Sequence, residues 1–313
     1  MTSIAWFGLG NMGSRMSAHL VGAGHEVRGY DPVEALRARA AEHGITPVAS
    51  IAEAVEGADV VILSLPKGEH VREVLGADDG VFAHAAPGTL ILDTSTVDVA
   101  TSQWSHDEAA ARGLRFVDSP VSGGTAGAEA GTLAFLLGGA DEDVAAAQAI
   151  VEPMAGNAIA VGGPTHGIAA KLVNNMMLGV SMLALAEGTQ LAEQLGLDAK
   201  RFYDVVRASS GDSWAARTWY PIPGVVPASA ASHDFEASFS AMLAHKDVSL
   251  AISDAERVGV KVPAAELARD QLQRLLDDGL GGKDCMLIMR EASPDGTLTG
   301  WSGPAGAAEA TSR

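Results

Sequence analysis

Two groups of residues have types and spacings suited to chemistry. The first is Gly8-Leu9-Gly10-Asn11-Met12-Gly13, a G-x-G-x-x-G pattern between an apolar run and a helical one. In such a turn the first glycine allows the tight bend, the second lets backbone approach a pyrophosphate, and the third permits close helix–strand contact. The following helix N-terminus offers free N–H groups to phosphate. Asp31 ends the next predicted strand. Its carboxylate can accept hydrogen bonds from both ribose hydroxyls and would repel a 2′-phosphate, favouring NAD over NADP. It can also cap a helix starting at Pro32, and Arg28 and Arg37 lie close enough in sequence to soften the preference. The second group is Lys171 and Asn175, four residues apart and so on one helix face. Lys171 opens an apolar, nearly uncharged segment. Desolvation, and a cationic nicotinamide beside it, would lower its pKa toward the working range for proton transfer. Spacing alone equally allows it to snorkel to solvent from the helix end. Ser122-Gly123-Gly124 is a turn whose hydroxyl and backbone N–H groups can hold a carboxylate; it also reads as a plain loop.

The elements that must position these residues follow from periodicity. Short apolar strands are expected at 4–7, 26–30, 60–63, 90–92, 116–117, 133–137 and 158–161. Helices are expected between them, including 12–22, 32–42 with Pro32 in its first position, 51–56 and 141–149. This rhythm predicts a parallel sheet covered on both faces. Strand ends line the crevice of such a sheet, which directs attention to Leu65 and Pro66 after one strand and Thr94-Ser95-Thr96 after another. Gly162-Gly163-Pro164 is a breaker. Beyond it helices are expected at 168–195, 200–208, 237–259, 264–278 and 284–291, the first read as a central helix buried between partners. The reading is therefore α/β: a Rossmann-type doubly wound domain over 1–163, an all-α domain over 164–292 for substrate and oligomerisation, and a mobile tail over 293–313.

Composition narrows the partners. With 21 Lys plus Arg against 39 Asp plus Glu, the net charge is −18 and no basic cluster forms, which argues against nucleic acid or an anionic membrane. Residues 1–163 carry −13 of that charge and 164–313 only −5. Cys285 is alone, so no intrachain disulfide forms and a reducing, cytoplasmic setting is expected. The nine histidines are scattered and no Cys/His set has zinc spacing, so no metal is expected. The N-terminal segment reads as a strand entering a glycine turn, not as a signal peptide. The apolar stretch 172–186 is shorter than the roughly 20 residues a membrane span needs.

Further segments carry a resemblance. Asp118-Ser119-Pro120-Val121-Ser122-Gly123-Gly124, residues 127–133, Gly167 through Asn175, Pro221-Ile222-Pro223-Gly224-Val225 and residues 239–251 fall in order with the glycine fingerprint. Together they resemble the β-hydroxyacid dehydrogenases, most nearly the 3-hydroxyisobutyrate dehydrogenase branch, over about residues 4–290. The resemblance implies NAD as cofactor and a short β-hydroxy acid oxidised to its semialdehyde, as in valine breakdown. It implies Lys171 as general acid/base, Asn175 binding substrate and holding Lys171, Ser122, Gly123 and Gly124 holding the carboxylate, and Thr96 against the nicotinamide. It also implies that Lys246 reaches the nicotinamide or substrate; read alone, Lys246 and Asp247 make an ordinary solvated pair. Trp214 and Phe239 are weaker pocket candidates, and Asn174 and Glu129 read as structural. Tartronate semialdehyde reductase, and more remotely a non-catalytic NAD-binding regulatory protein, are the alternatives. The apolar central helix suggests a homodimer or homotetramer.

Overall fold

Strand β1 (Ser3–Phe7) lies inside a nine-stranded sheet, between the strands Glu26–Tyr30 and Val60–Leu63. Its residues Ile4 to Phe7 are buried on both faces, as a parallel strand covered by helices requires. In the computed structural model, residues 1–299, Trp301 and Gly303 are described. The remaining strands are β2 (Glu26–Tyr30), β3 (Thr46–Pro47), β4 (Val60–Leu63), β5 (Leu90–Asp93), β6 (Arg115–Asp118), β7 (Val121–Ser122), β8 (Leu133–Gly138) and β9 (Ala155–Gly162). Their order is β3-β2-β1-β4-β5-β6-β8-β7, with β9 paired to β8. The first six strands are parallel, and chain order reverses between β1 and β4. In such sheets a ligand sits beyond the strand carboxyl ends at that reversal. The glycine turn, Leu65 and Thr96 all follow strands at that edge.

The sheet is not wholly parallel. β8 runs antiparallel to β6 and β7, pairing Asp118 with Gly138 and Ser122 with Ala134, and parallel to β9. Chain direction could not be read from the alternation of elements here. The connection from β6 to β8 holds only a short edge strand and one short helix, and an antiparallel return needs no long crossover.

Helices α1 (Gly13–Gly22), α2 (Glu34–Ala41), α3 (Ile51–Val55), α4 (Gly68–Gly76), α5 (Val81–His84), α6 (Val99–Ala111), α7 (Gly124–Ala130) and α8 (Asp141–Val151) accompany the sheet. α2 starts at Glu34, after an extended Val33, so Pro32 lies outside it. Asp31 Oδ1 accepts a hydrogen bond from the Val33 N–H and fixes that delayed start. The sheet's inner core includes Trp6, Leu9, Met16, Ile62, Leu92 and Phe135.

The chain divides into two compact units, Met1–Leu172 and a second from Val173 onward. Helix α9 (His166–Gln194) starts in the first and continues into the second. The second unit adds α10 (Ala199–Ala208), α11 (Trp214–Thr218), α12 (Ala241–Arg257) and α13 (Pro263–Asp277) around a core that includes Met182, Tyr220, Phe235, Leu272 and Met286. The helix expected over 284–291 is 3-10 in form, Cys285–Ala292. It is fastened by buried Asp284, whose carboxylate accepts from the N–H groups of Met286, Ser238 and Phe239. Cys285 is buried, and burial pushes its thiol pKa well above the ordinary value.

Two expectations need correction. α9, expected over 168–195, spans His166–Gln194 and is by length and composition alone apolar enough to cross a membrane, a test that the core helix of a globular protein also passes. It is also not buried all round. Leu172, Met182 and Ala186 lie inside, while Val173, Met177 and Leu191 are more than half exposed along one stripe. The described part of the expected mobile tail is anchored: Leu298 is buried, and Trp301 meets Phe235 edge-on at 6.3 Å. The rest of that tail lies outside the described residues.

Candidate active site

The glycine turn has the geometry a dinucleotide requires. Gly8 has φ +92°, and a Cβ there would sit 2.3 Å from the Ser64 carbonyl oxygen. A Cβ on Gly13 would sit 1.9 Å from the Gly8 oxygen, so α1 packs against the turn only because Gly13 lacks one. Around Gly10 the space is open, with nothing within 4 Å of an added Cβ. Asn11 is exposed, and Met12 precedes α1 without any side-chain cap on its N–H groups. The three glycines thus divide their work: two close the turn and one leaves its face open where a pyrophosphate would lie.

Asp31 is 7% exposed, and its two oxygens serve different segments. Oδ2 accepts from the Leu9 N–H inside the glycine turn at 2.9 Å, and Oδ1 accepts from Val33. The carboxylate therefore braces the glycine turn and the start of the segment before α2. Arg28 donates to the carbonyl oxygens of Glu53 and Glu56 and is turned away from this task. Arg37 donates to the Asp31 carbonyl oxygen.

At the next strand ends, the Leu65 N–H donates to Ser95 Oγ and the Thr94 hydroxyl donates to the Leu63 carbonyl, joining the loops after β4 and β5. Pro66 is exposed and Thr96 half-buried in these loops. Ser122 ends β7, and Gly123 (φ +137°) and Gly124 (φ +64°) turn the chain into α7. A Cβ on Gly123 would meet Leu133 at 2.9 Å. Glu129 pairs with Arg15 on the surface, a structural role.

Lys171 lies in the second turn of α9 and is only 7% exposed, which removes the snorkelling alternative. Asn175 follows one turn later in the second unit, 5% exposed. Its Nδ2 donates to Asp247 Oδ2 at 2.7 Å. Asp247, 4% exposed on α12, also meets Lys246 Nζ at 3.2 Å through its other oxygen. Lys246 and Asp247 are therefore not a solvated pair: one buried carboxylate holds both Asn175 and Lys246. Asn174 is exposed and donates to Asn175 Oδ1 at 3.2 Å. Trp214 and Phe239 both pack on Trp219, with centroids 4.9 Å and 6.2 Å away.

Sequence reading gave no role to three polar residues of the first unit. Asp93 and Asp118 end adjacent strands in register, and Asp118 Oδ1 accepts a hydrogen bond from His106 Nε2 on α6 at 2.8 Å. Burial, with Asp118 nearby, raises the Asp93 pKa to about 7 against the opposing hydrogen bonds from Ser95. The available signal was an acid closing each of two apolar strands, where a hydrophobic residue would continue the run.

Comparison with known proteins now decides the family. Residues 3–163 match the family model described as the NAD binding domain of 6-phosphogluconate dehydrogenase. Residues 165–292 match the model described as NAD-binding of NADP-dependent 3-hydroxyisobutyrate dehydrogenase. A probable 3-hydroxyisobutyrate dehydrogenase of Mycobacterium tuberculosis is 46% identical over 270 residues, 86% of this chain and 91% of that one. The chain belongs to the 3-hydroxyisobutyrate dehydrogenase family. It is an NAD-dependent hydroxyacid dehydrogenase. Its relatives include an NAD-dependent L-serine dehydrogenase of Pseudomonas aeruginosa, 38% identical over 94% of this chain and 99% of that one. A solved M. tuberculosis 3-hydroxyisobutyrate dehydrogenase with L-serine has 43% identity and a TM-score of 0.88, covering 93% of this chain and 99% of that one.

Proposed function

We propose that the enzyme oxidises 3-hydroxyisobutyrate to methylmalonate semialdehyde, with Lys171 as general base. The observation that carries this reading is the buried lysine of α9 followed one turn later by an asparagine whose amide is oriented by Asp247. Ser122, Gly123 and Gly124 hold the substrate carboxylate through the hydroxyl and backbone N–H groups. Asn175 hydrogen-bonds the substrate, and Lys246 reaches the nicotinamide or substrate. Lys171 takes the hydroxyl proton as the C–H hydrogen leaves with its electron pair, forming the aldehyde C=O. When bound, NAD+ would supply the hydride acceptor; Gly8, Gly10, Asn11, Met12 and Gly13 would hold its pyrophosphate, Asp31 its ribose, and Leu65, Pro66 and Thr96 would flank it. In the reverse direction Lys171 returns the proton. We place these functions on an NAD-binding domain over 1–163 and a substrate and oligomerisation domain over 164–292, in a cytoplasmic homo-oligomer.

A second substrate deserves equal testing. L-serine shares the hydroxymethyl group beside a carboxylate-bearing carbon and differs by an amino group where 3-hydroxyisobutyrate has a methyl. Two similar proteins are named for, or were solved with, L-serine. The test is kcat/KM with NAD+ and NADP+ on 3-hydroxyisobutyrate, L-serine, glycerate and 4-hydroxybutyrate. The proposal expects 3-hydroxyisobutyrate with NAD+ to lead. A tenfold preference for L-serine, about 1.4 kcal/mol in the transition state, would replace the substrate named here.

A further inference from the structure

We infer that Asp118 is a positioning residue that sets the place of Lys171 by clamping the first turn of α9 to the sheet. The inference rests on the general-base reading of Lys171 given above. Its parts all lie in the first unit. A helix N-terminus carries N–H groups with no partner inside the helix. Asp118, at the end of β6 and 3% exposed, supplies the acceptors from far along the chain. Its Oδ1 accepts from the Thr165 N–H at 2.9 Å, and its Oδ2 from the Ile168 N–H at 2.7 Å. Ile168 precedes Lys171 by three residues, nearly one turn, so the two side chains rise from the same side of the helix.

Three features show that this clamp is built and not incidental. Thr165 holds φ +68°, a left-handed conformation that costs a non-glycine residue energy. Its N–H is one of the two that Asp118 receives. A Cβ on Gly138 would stand 2.5 Å from the Gly167 nitrogen and 2.8 Å from Asp118 Oδ1. A Cβ on Gly167 would stand 2.3 Å from the Leu136 oxygen and 2.8 Å from Asp118 Oδ2. Two glycines thus let strand and helix backbones close around one carboxylate. His106 also holds the carboxylate, through the same Oδ1 that accepts from Thr165, its ring held edge-on to Phe116 at 4.7 Å. Neither glycine nor the strained threonine is needed for an ordinary cap. What they produce is a defined origin for α9 relative to β6, and hence a defined path for the lysine chain. A displacement of about 1 Å in a reacting group can cost on the order of 100-fold in rate.

The test compares Asp118→Asn, His106→Gln and Lys171→Ala in the full-length enzyme, with 3-hydroxyisobutyrate and L-serine as substrates. Asn has the shape of Asp but presents an N–H toward one of the helix donors. Asp118→Asn should lower kcat about 10- to 100-fold while KM and the NAD+ dissociation constant stay within about threefold. The solvent deuterium isotope effect on kcat should rise, because proton transfer to a misplaced lysine becomes slower. Loss of folded enzyme alone would lower kcat with no change in that isotope effect, and that result would overturn the inference, as would an unchanged kcat. If Asp118→Asn does not fold, His106→Gln leaves the carboxylate in place but removes the imidazole that holds its Oδ1. A smaller kcat loss with the same isotope signature is then expected, and wild-type behaviour would overturn the inference. Turnover retained by Lys171→Ala marks failure of the general-base reading, whereas a dead Lys171→Ala beside a normal Asp118→Asn marks failure of the clamp alone.

Discussion

Asp31 does two jobs, and its removal should show both. Asp31→Ala removes the bond to the Leu9 N–H that braces the glycine turn and, in the proposed mode of NAD+ binding, a ribose acceptor. NAD+ affinity should fall at least tenfold, about 1.4 kcal/mol, by fluorescence titration, and NADP+ affinity should fall less. Equal losses would mean that the carboxylate acts through the turn alone. Lys171→Ala should abolish turnover while NAD+ binding stays within about threefold, since hydride acceptance and proton removal are served by different groups. Asp93 gives a pH prediction. Its pKa rises from the ordinary 3.8 to about 7, chiefly by burial. The folded state therefore holds a proton that the unfolded chain releases between those values, and this group's contribution to stability declines as pH rises from about 4 to 7. Asp93→Asn should keep the acceptor for the Ser95 N–H and remove the penalty. Its melting temperature should exceed wild type at pH 8 and converge with it near pH 4.

At the scale of elements, local rules and distant contacts share the outcome unequally. The β1–turn–α1 unit was legible because strand, glycines and helix adjoin in sequence. β4, β2 and the long α9 were legible from apolar runs and periodicity. The late start of α2 was not, because the Asp31 side chain captures the Val33 N–H and competes with a helix beginning at Pro32. α7 was missed because its Gly- and Ala-rich sequence, seven residues long, carries no apolar period. The antiparallel course of β8 depends on pairing with β6 and β7, which leaves no mark in one strand's own residues. Gly138→Ala is the sharpest probe at this scale. The added methyl meets backbone at 2.5 Å and cannot be relieved by a side-chain rotation. The substitution should destabilise the protein by about 2 kcal/mol or more in urea melts, whereas Gly163→Ala, which faces open space, should not.

Among the described residues, α9 carries an apolar stripe left uncovered by the rest of the chain. Val173, Met177 and Leu191 on α9 are exposed, as are Leu195 just beyond its end and Val205 on α10. Residues 173, 177 and 191 fall on one side of the helix by its period. A contiguous exposed apolar stripe marks a site of association, and we propose a second copy of the chain as its cover. Light scattering should give a dimer or tetramer for the wild type, and Met177→Asp should shift the mass downward. A monomeric wild type would refute this. The sequence by itself determined the two-part division of elements, the dinucleotide turn, and the lysine and asparagine of α9, because each rests on neighbours within a few residues. Only the tertiary structure decided that Asp247 joins Asn175 to Lys246, and that Asp118 joins β6 to α9. Those partners are far apart in sequence, and a lone carboxylate carries no local sign of the donor it will meet once desolvated.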